Sequence, residues 1–230
     1  MNNKFYEYTQ VEKKYWEAHQ GRAIHKRPSN HPVTKFFSKQ RFDYIGTKID
    51  TTLIKKSLDV GCGSGFSSSN SPFNVIGIDF SLLNLKIIKK IKPDAELIQA
   101  SAYNLPFKEN SFDMVYSWEC LHHLEYPQIS VNEMMYVTNK FLILIEPNRT
   151  NLGVFLYAIK EKIERKMLKY CKSKLLSFID DNFSIVKCEV VGMIFAGSTP
   201  LFLLPFFKKL PFKSPFGMSC ILIAIKNKDR

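Results

Sequence analysis

Leu58-Asp59-Val60-Gly61-Cys62-Gly63-Ser64-Gly65 runs an apolar strand into three glycines at alternate positions. Glycine is needed where a backbone turns tightly or must approach a ligand with no Cβ in the way. A helix beginning just beyond the loop would offer its unpaired N–H groups to the same place. Eighteen residues after Gly61, a second apolar strand, Val75-Ile76-Gly77-Ile78, ends in Asp79. An acid there can accept hydrogen bonds from both ribose hydroxyls of an adenosine-containing ligand.

Working outward, short apolar runs alternate with helical ones. The pattern predicts strands over Ser57–Val60, Asn74–Asp79, Ala95–Gln99, Asp113–Ser117 and Phe141–Glu146, with helices over Leu82–Lys92 and Tyr126–Thr138. Such alternation implies βαβ units and a mostly parallel sheet, hence an α/β fold. Val33 to Ile49 places Phe36, Phe37, Phe42, Tyr44 and Ile45 about one helical turn apart, as a buried helix face would. After Pro147 comes a long basic amphipathic run, Val154–Phe178. Two final strands follow, near Ser184–Val191 and Met218–Lys226, joined by a loop rich in proline and phenylalanine.

The loop separates two adenosine-bearing ligands. The dinucleotide pattern is G-x-G-x-x-G, whose third glycine lets helix and strand pack closely. Here the third glycine comes one residue early and Phe66 holds the later position. Asp59 beside the loop would repel a pyrophosphate but suits a cation, such as a sulfonium or an ammonium. The loop therefore favours S-adenosylmethionine (SAM) over NAD.

With these motifs in place, the chain resembles the class I SAM-dependent methyltransferases, and within them the small-molecule group that includes quinone-biosynthesis enzymes. Leu58–Gly65 looks like the group's first motif and Val75–Ser81 like its ribose-binding strand end. Ala100–Phe107 looks like the adenine-side motif, and Asn110–Ser117 with Leu121-His122-His123-Leu124 like the fourth strand and its loop. The resemblance implies a Rossmann-like seven-stranded sheet of order 3-2-1-4-5-7-6 with strand 7 antiparallel, and N-terminal helices as a lid. It divides the chain into a lid segment, 1–50, and a methyltransferase domain, 51–230. It also implies that Gly61, Cys62, Gly63 and Gly65 line the methionine and ribose part, with Asp59 near the ammonium. Asp79 would hold the ribose, Phe80 flank the adenine, Ala102 offer its N–H to the ring, and Ser117 lie at the methionine end. Ser101 stands where the family often has an acid, and a hydroxyl accepts from the adenine amino group more weakly than a carboxylate.

Methyl transfer from a sulfonium is an in-line displacement on an activated donor, so alignment can supply much of the rate. A base is needed only for an acceptor that must lose a proton. His122 and His123, just past the fourth strand, are the candidates, since histidine titrates near neutral pH. Glu119 with two adjacent histidines makes a poor metal shell, so no metal is expected. No N-P-P-Y-like tetrapeptide follows the fourth strand, where Ser117-Trp118-Glu119-Cys120 stands instead. That argues against amino-group methylation by that route. No Pro-Cys pair offers the nucleophile of cytosine C5 methylation.

The 230 residues carry 33 basic and 21 acidic side chains, a formal charge of +12. That excess favours anionic partners, although a lysine-rich composition explains it equally. It motivates an alternative, an RNA methyltransferase using the run Lys160 to Lys174, but Glu161 and Glu164 interrupt that run and no RNA-binding module is recognisable. A second alternative is a SAM-binding partner subunit without catalysis. Five scattered cysteines with no C-x-x-C pair and a polar start suit a reducing cytoplasm. Val190–Phe207 is uncharged over a length that could span a membrane, but its glycines and prolines break a helix. Phe195, Phe202, Phe206, Phe207, Phe212 and Phe216 beside Lys208, Lys209 and Lys213 suggest an apolar or lipid-like acceptor, or peripheral contact with an anionic membrane. Tyr15 and Trp16 could cover the sulfonium through a cation–π contact.

Overall fold

The computed structural model describes residues 27–193 and 199–227. Seven strands form one sheet: β1 (Ser57–Val60), β2 (Val75–Asp79), β3 (Glu96–Gln99), β4 (Phe112–Trp118), β5 (Thr138–Pro147), β6 (Phe183–Val191) and β7 (Ser219–Lys226). Their spatial order is β3-β2-β1-β4-β5-β7-β6. The first five run parallel, with Ser57 opposite Val75 on one side and Met114 on the other. Only β7 reverses, pairing antiparallel with both β5 and β6. The order and the single reversal are those expected from the sequence.

A parallel sheet is covered on both faces, which is why its strands read as unbroken apolar runs. In β5 the alternation is explicit. Leu142 and Leu144 join Leu58, Val60, Val115, Val131 and Met134 on one face. Phe141, Ile143 and Ile145 join Val33, Phe37, Phe42 and Ile45 on the other. The second group comes from helix α1 (Pro32–Gly46), which opens with Pro32 in its first turn behind the His31 cap. This helix is therefore a packed layer of the sheet's face. Helix α2 (Leu82–Ile91) is capped by the Ser81 hydroxyl and buries Leu85 and Ile88, and helix α3 (Pro127–Val137) follows β4. Tyr15, Trp16 and Phe195 lie outside the described residues.

Two expectations are corrected. No α-helix follows the glycine loop; residues 62–67 turn irregularly, and only a single 3-10 turn, Ser68–Asn70, is formed. The cause is local: serine and asparagine are weak helix formers, the Ser67 hydroxyl turns to Asp59, the Ser71 hydroxyl accepts the Phe73 N–H, and Pro72 stops any extension. The basic run Val154–Phe178 is not one helix either. It divides into α4 (Leu152–Lys160), a 3-10 stretch (Lys162–Lys169) and α5 (Lys172–Leu176). Extended backbone at Glu161 and at Tyr170–Cys171 makes the breaks. The breaks allow Glu164 and Tyr170 to be buried.

Candidate functional site

The strand order reverses between β1 and β4, and the crevice at such a switch point is where open α/β sheets bind ligands. The glycine loop fills the carboxyl end of β1. Gly61, Gly63 and Gly65 all have positive φ, at 75°, 52° and 86°. Gly61 and Gly65 are tightly enclosed: a Cβ on Gly61 would lie 2.2 Å from Cys120 Sγ, and one on Gly65 2.5 Å from Ser69 Oγ. Gly63 differs, because a Cβ there would meet no atom within 4 Å. The loop thus has two packed glycines and one facing open space. Cys62 turns the other way, into a small cluster with Leu85 and Ile88, and its N–H bonds Ile78 O. Its side chain lies in the core.

Two carboxylates hold this loop. Asp79, at the end of β2, accepts the Gly63 N–H (2.9 Å) on Oδ2. Its Oδ1 accepts the Ser81 N–H (2.8 Å) and Asn84 Nδ2 (3.3 Å). Oδ2 retains an acceptor position, since a carboxylate oxygen takes about two donors. Burial raises the Asp79 pKa, against the pull of these bonds. Asp59 is fully buried in β1 and accepts a short bond from the Ser67 hydroxyl. Its Oδ1 makes no well-formed hydrogen bond, with the Tyr116 hydroxyl and the Ser68 backbone nearby. Burial raises its pKa to about 7, against the help of those neighbours.

The remaining expected residues lie at or just past the carboxyl ends of β2, β3 and β4. Phe80 is half-buried after β2, and its carbonyl accepts Gln99 Nε2. Ser101 and Ala102 follow β3 in a turn whose Ser101 hydroxyl accepts the Tyr103 N–H (3.2 Å). Ser117 is buried near the Cys120 thiol.

The histidines part company. His123 is half-buried, whereas His122 is 1% exposed and does not stand at the rim as expected. Its Nδ1 lies 2.6 Å from Glu146 Oε2, and its Nε2 3.5 Å from Glu164 Oε2. Glu146 is itself fixed by the N–H groups of Cys120 (3.1 Å) and Leu121 (2.7 Å). Burial alone would lower the His122 pKa, but the two carboxylates outweigh it and hold it near 10. A histidine protonated at neutral pH cannot act as a general base there. Glu164 was missed as a partner because it lies 42 residues from His122 in a run read as basic and amphipathic; no local pattern marks it.

A second buried charge escaped the sequence analysis. Arg41 on α1 is fully buried, donating to Phe37 O (3.2 Å) and Ser219 Oγ (2.9 Å). Its guanidinium stacks 3.4 Å from the Phe37 ring centroid and faces Trp118. Burial lowers its pKa to about 9, with the Glu119 carboxylate acting in the opposite sense. Glu119, at a positive φ of 52° just after β4, is in turn raised to about 7, mainly by burial.

Comparison with known proteins agrees with this geometry. Residues 58–141 match the methyltransferase domain family. A demethylmenaquinone methyltransferase of Renibacterium salmoninarum is 33% identical over 118 residues, covering 49% of this chain; the chain spans about half of that relative's length (50%). A ubiquinone/menaquinone biosynthesis C-methyltransferase of Campylobacter jejuni is 25% identical over 78% of this chain and 83% of its own. Among solved structures, a Thermotoga maritima SAM-dependent methyltransferase, a possible histamine N-methyltransferase, superposes with a TM-score of 0.63. It is 17% identical, over 85% of this chain and 92% of its own, and so speaks to the fold. With its sheet order and its glycine loop closed by Asp79, the chain has the fold of the SAM-dependent methyltransferases, and its residues 58–141 are similar to the methyltransferase domain family.

Proposed function

We propose that this chain transfers a methyl group from SAM to a small, apolar or lipid-like acceptor. The observation that carries the reading is the loop Gly61–Gly65 set between two buried carboxylates, with its open face at Gly63. A dinucleotide needs the reverse environment: a helix N-terminus and no acid against its pyrophosphate. Here no α-helix directly follows the loop, and Asp59 lies beside it. That electrostatic setting suits a ligand carrying a sulfonium and an ammonium. The poorly satisfied Asp59 Oδ1 fits such a group, and the remaining acceptor position on Asp79 Oδ2 fits a ribose hydroxyl.

SAM, when bound, supplies a methyl group already activated on sulfur. The chain's own part is to orient and to exclude water. Asp79 would accept from the ribose, with Phe80, Ser101 and Ala102 on the adenine side and Asp59 and Ser117 toward the methionine end. Positioning of this kind is worth up to about 7–11 kcal/mol in well-oriented systems. His123 is the histidine open enough to take a proton from a hydroxylated acceptor; His122 keeps its own.

The acceptor class draws on two observations. The Renibacterium and Campylobacter relatives are named for quinone methylation. The connection between β6 and β7 leaves Leu201, Phe202, Phe206 and Phe216 exposed, with Phe202 at 79%, while Phe207 and Phe212 pack on the α1 face. Apolar side chains fringed by Lys208, Lys209 and Lys213 suit an anionic membrane surface from which a lipid-like acceptor could be drawn. No helix among the described residues is long and apolar enough to cross a membrane.

Calorimetric titration with SAM, and with NAD as control, tests the cofactor. Saturable binding of SAM alone is expected; preference for NAD would overturn the reading. Methyl transfer to a prenylated hydroquinone, compared with a short soluble phenol and with RNA, then tests the acceptor.

A further inference from the structure

Among the described residues, His122, His123 and Glu164 bring one ligand atom each to within 4.8 Å of one another. We propose that they form a binding site for a divalent, zinc-class cation beside the end of β4.

The spacing favours a metal over a hydrogen bond. His122 Nε2 and Glu164 Oε2 form only a loose pair, 3.5 Å apart, although both side chains are at least nine-tenths buried. Zinc bonds of about 2.0–2.2 Å at a tetrahedral angle place two ligand atoms about 3.3–3.5 Å apart. A cation between the two atoms would bind both more closely than they bind each other at that separation.

The supporting shell is already built. Metal-bound histidines usually give their other ring nitrogen to a carboxylate, which fixes the tautomer. Glu146 does this for His122 at 2.6 Å, and two backbone N–H groups lock Glu146 in turn. Nδ1–H therefore points to Glu146, and Nε2 faces Glu164 with its lone pair available once the ring is neutral. His123, its ring centroid 3.9 Å from that of His122, adds the third ligand. It is half-buried, so the fourth position opens toward solvent, as in sites that keep a water.

Charge balance agrees. The neighbourhood holds the carboxylates of Glu119, Glu146 and Glu164 and one guanidinium, Arg41. Glu146 and Glu164 both converge on His122, a setting that favours a cation. Two imidazoles and one carboxylate suit zinc or a similar first-row ion, whereas magnesium prefers an all-oxygen shell. No metal was expected from Glu119 and two adjacent histidines; the structure brings Glu164 to the histidines instead. The site stands without the methyl-transfer reading, but a cation bound there would occupy His123 and take it out of the proton-accepting role.

Two measurements on the full chain test it. Calorimetric titration with zinc chloride should show one saturable site per chain. Glu164→Gln should weaken it at least tenfold, and Glu146→Gln by about 10–100-fold, as loss of a supporting carboxylate does. Cobalt(II) added to the unaltered chain should give the visible absorption of a tetrahedral nitrogen–oxygen site, which settles the matter if a variant fails to fold. No saturable zinc uptake, uptake unchanged in a folded Glu164→Gln variant, or a cobalt spectrum dominated by thiolate charge transfer would each overturn the proposal.

Discussion

Gly61→Ala is the sharpest probe of the loop. The substitution acts twice. Gly61 sits at φ +75°, and a left-handed residue with a Cβ costs about 1–2 kcal/mol. The new Cβ would also lie 2.2 Å from Cys120 Sγ and 2.9 Å from its Cβ, so either β1 or the turn after β4 must move. Overpacking of this kind costs about 1–3 kcal/mol. The sum is about 2–5 kcal/mol, a large share of the roughly 5–15 kcal/mol that keeps a domain folded. At about 2–4 °C per kcal/mol for a chain of this size, the melting midpoint should fall by roughly 4–20 °C. The steric share can be isolated by urea unfolding of Gly61→Ala in wild-type and Cys120→Gly backgrounds. Cys120→Gly removes both contacting atoms, so the alanine should then cost only its conformational term, about 1–2 kcal/mol. An equal cost in both backgrounds would refute the contact between loop and β4 turn, and with it the account of why this glycine is enclosed.

Asp79→Ala should weaken SAM binding by about 1.5–3 kcal/mol in calorimetry, the range for a charge-assisted bond, and unchanged affinity would remove Asp79 from the site. Asp59 should make stability depend on pH. The folded chain keeps its proton to about pH 7, whereas the unfolded chain releases it near its ordinary pKa of 3.8, so the folded state binds more protons between them. Stability from this group should therefore fall as pH rises across that window. Urea midpoints of Asp59→Asn should vary less over it than wild type, and an identical profile would show that Asp59 is not buried as described. Arg41→Met should stay within about 1–2 kcal/mol of wild-type stability, because an apolar chain of similar length replaces a desolvated cation. Arg41→Ala should lose about 2–5 kcal/mol through the cavity left against Phe37 and Trp118, and equal losses for the two would refute a packing role. Replacing Phe202 and Phe206 together by serine should reduce co-sedimentation with phosphatidylglycerol vesicles, and unchanged binding would exclude that face as the contact.

The sheet was legible because each strand is a short apolar run with punctuation at both ends, and the glycine loop with Asp79 fixed the first two strands in order. β1 was read at its observed limits, and the other strands were off by one to three residues at an end, where fraying blurs any boundary. The missing helix after Gly65 was legible in principle, since serines and Pro72 are written there, but the glycine pattern suggested the commoner continuation. The break-up of Val154–Phe178 was not legible. Amphipathic spacing describes a helix well until one of its polar residues, Glu164, is drawn inward by a histidine 42 positions away. Arg41 is similar, reading as a surface residue among aromatics until α1 is laid against the sheet. Buried charge is fixed by tertiary partners, and no periodicity encodes them.

The antiparallel β7 bears on how the chain reaches this state. β6 has no strand neighbour except β7, and β5 meets β7 through seven successive residue pairs. The five parallel strands can assemble during synthesis, while β5 still presents Phe141–Ile145 as an uncovered apolar edge. That edge closes only when Ser219–Lys226 has cleared the ribosome and inserted between two strands laid down earlier. Until then it is a template for pairing with other chains. Deletions or slow folding near residue 220 should accordingly be read out as aggregation and chaperone dependence.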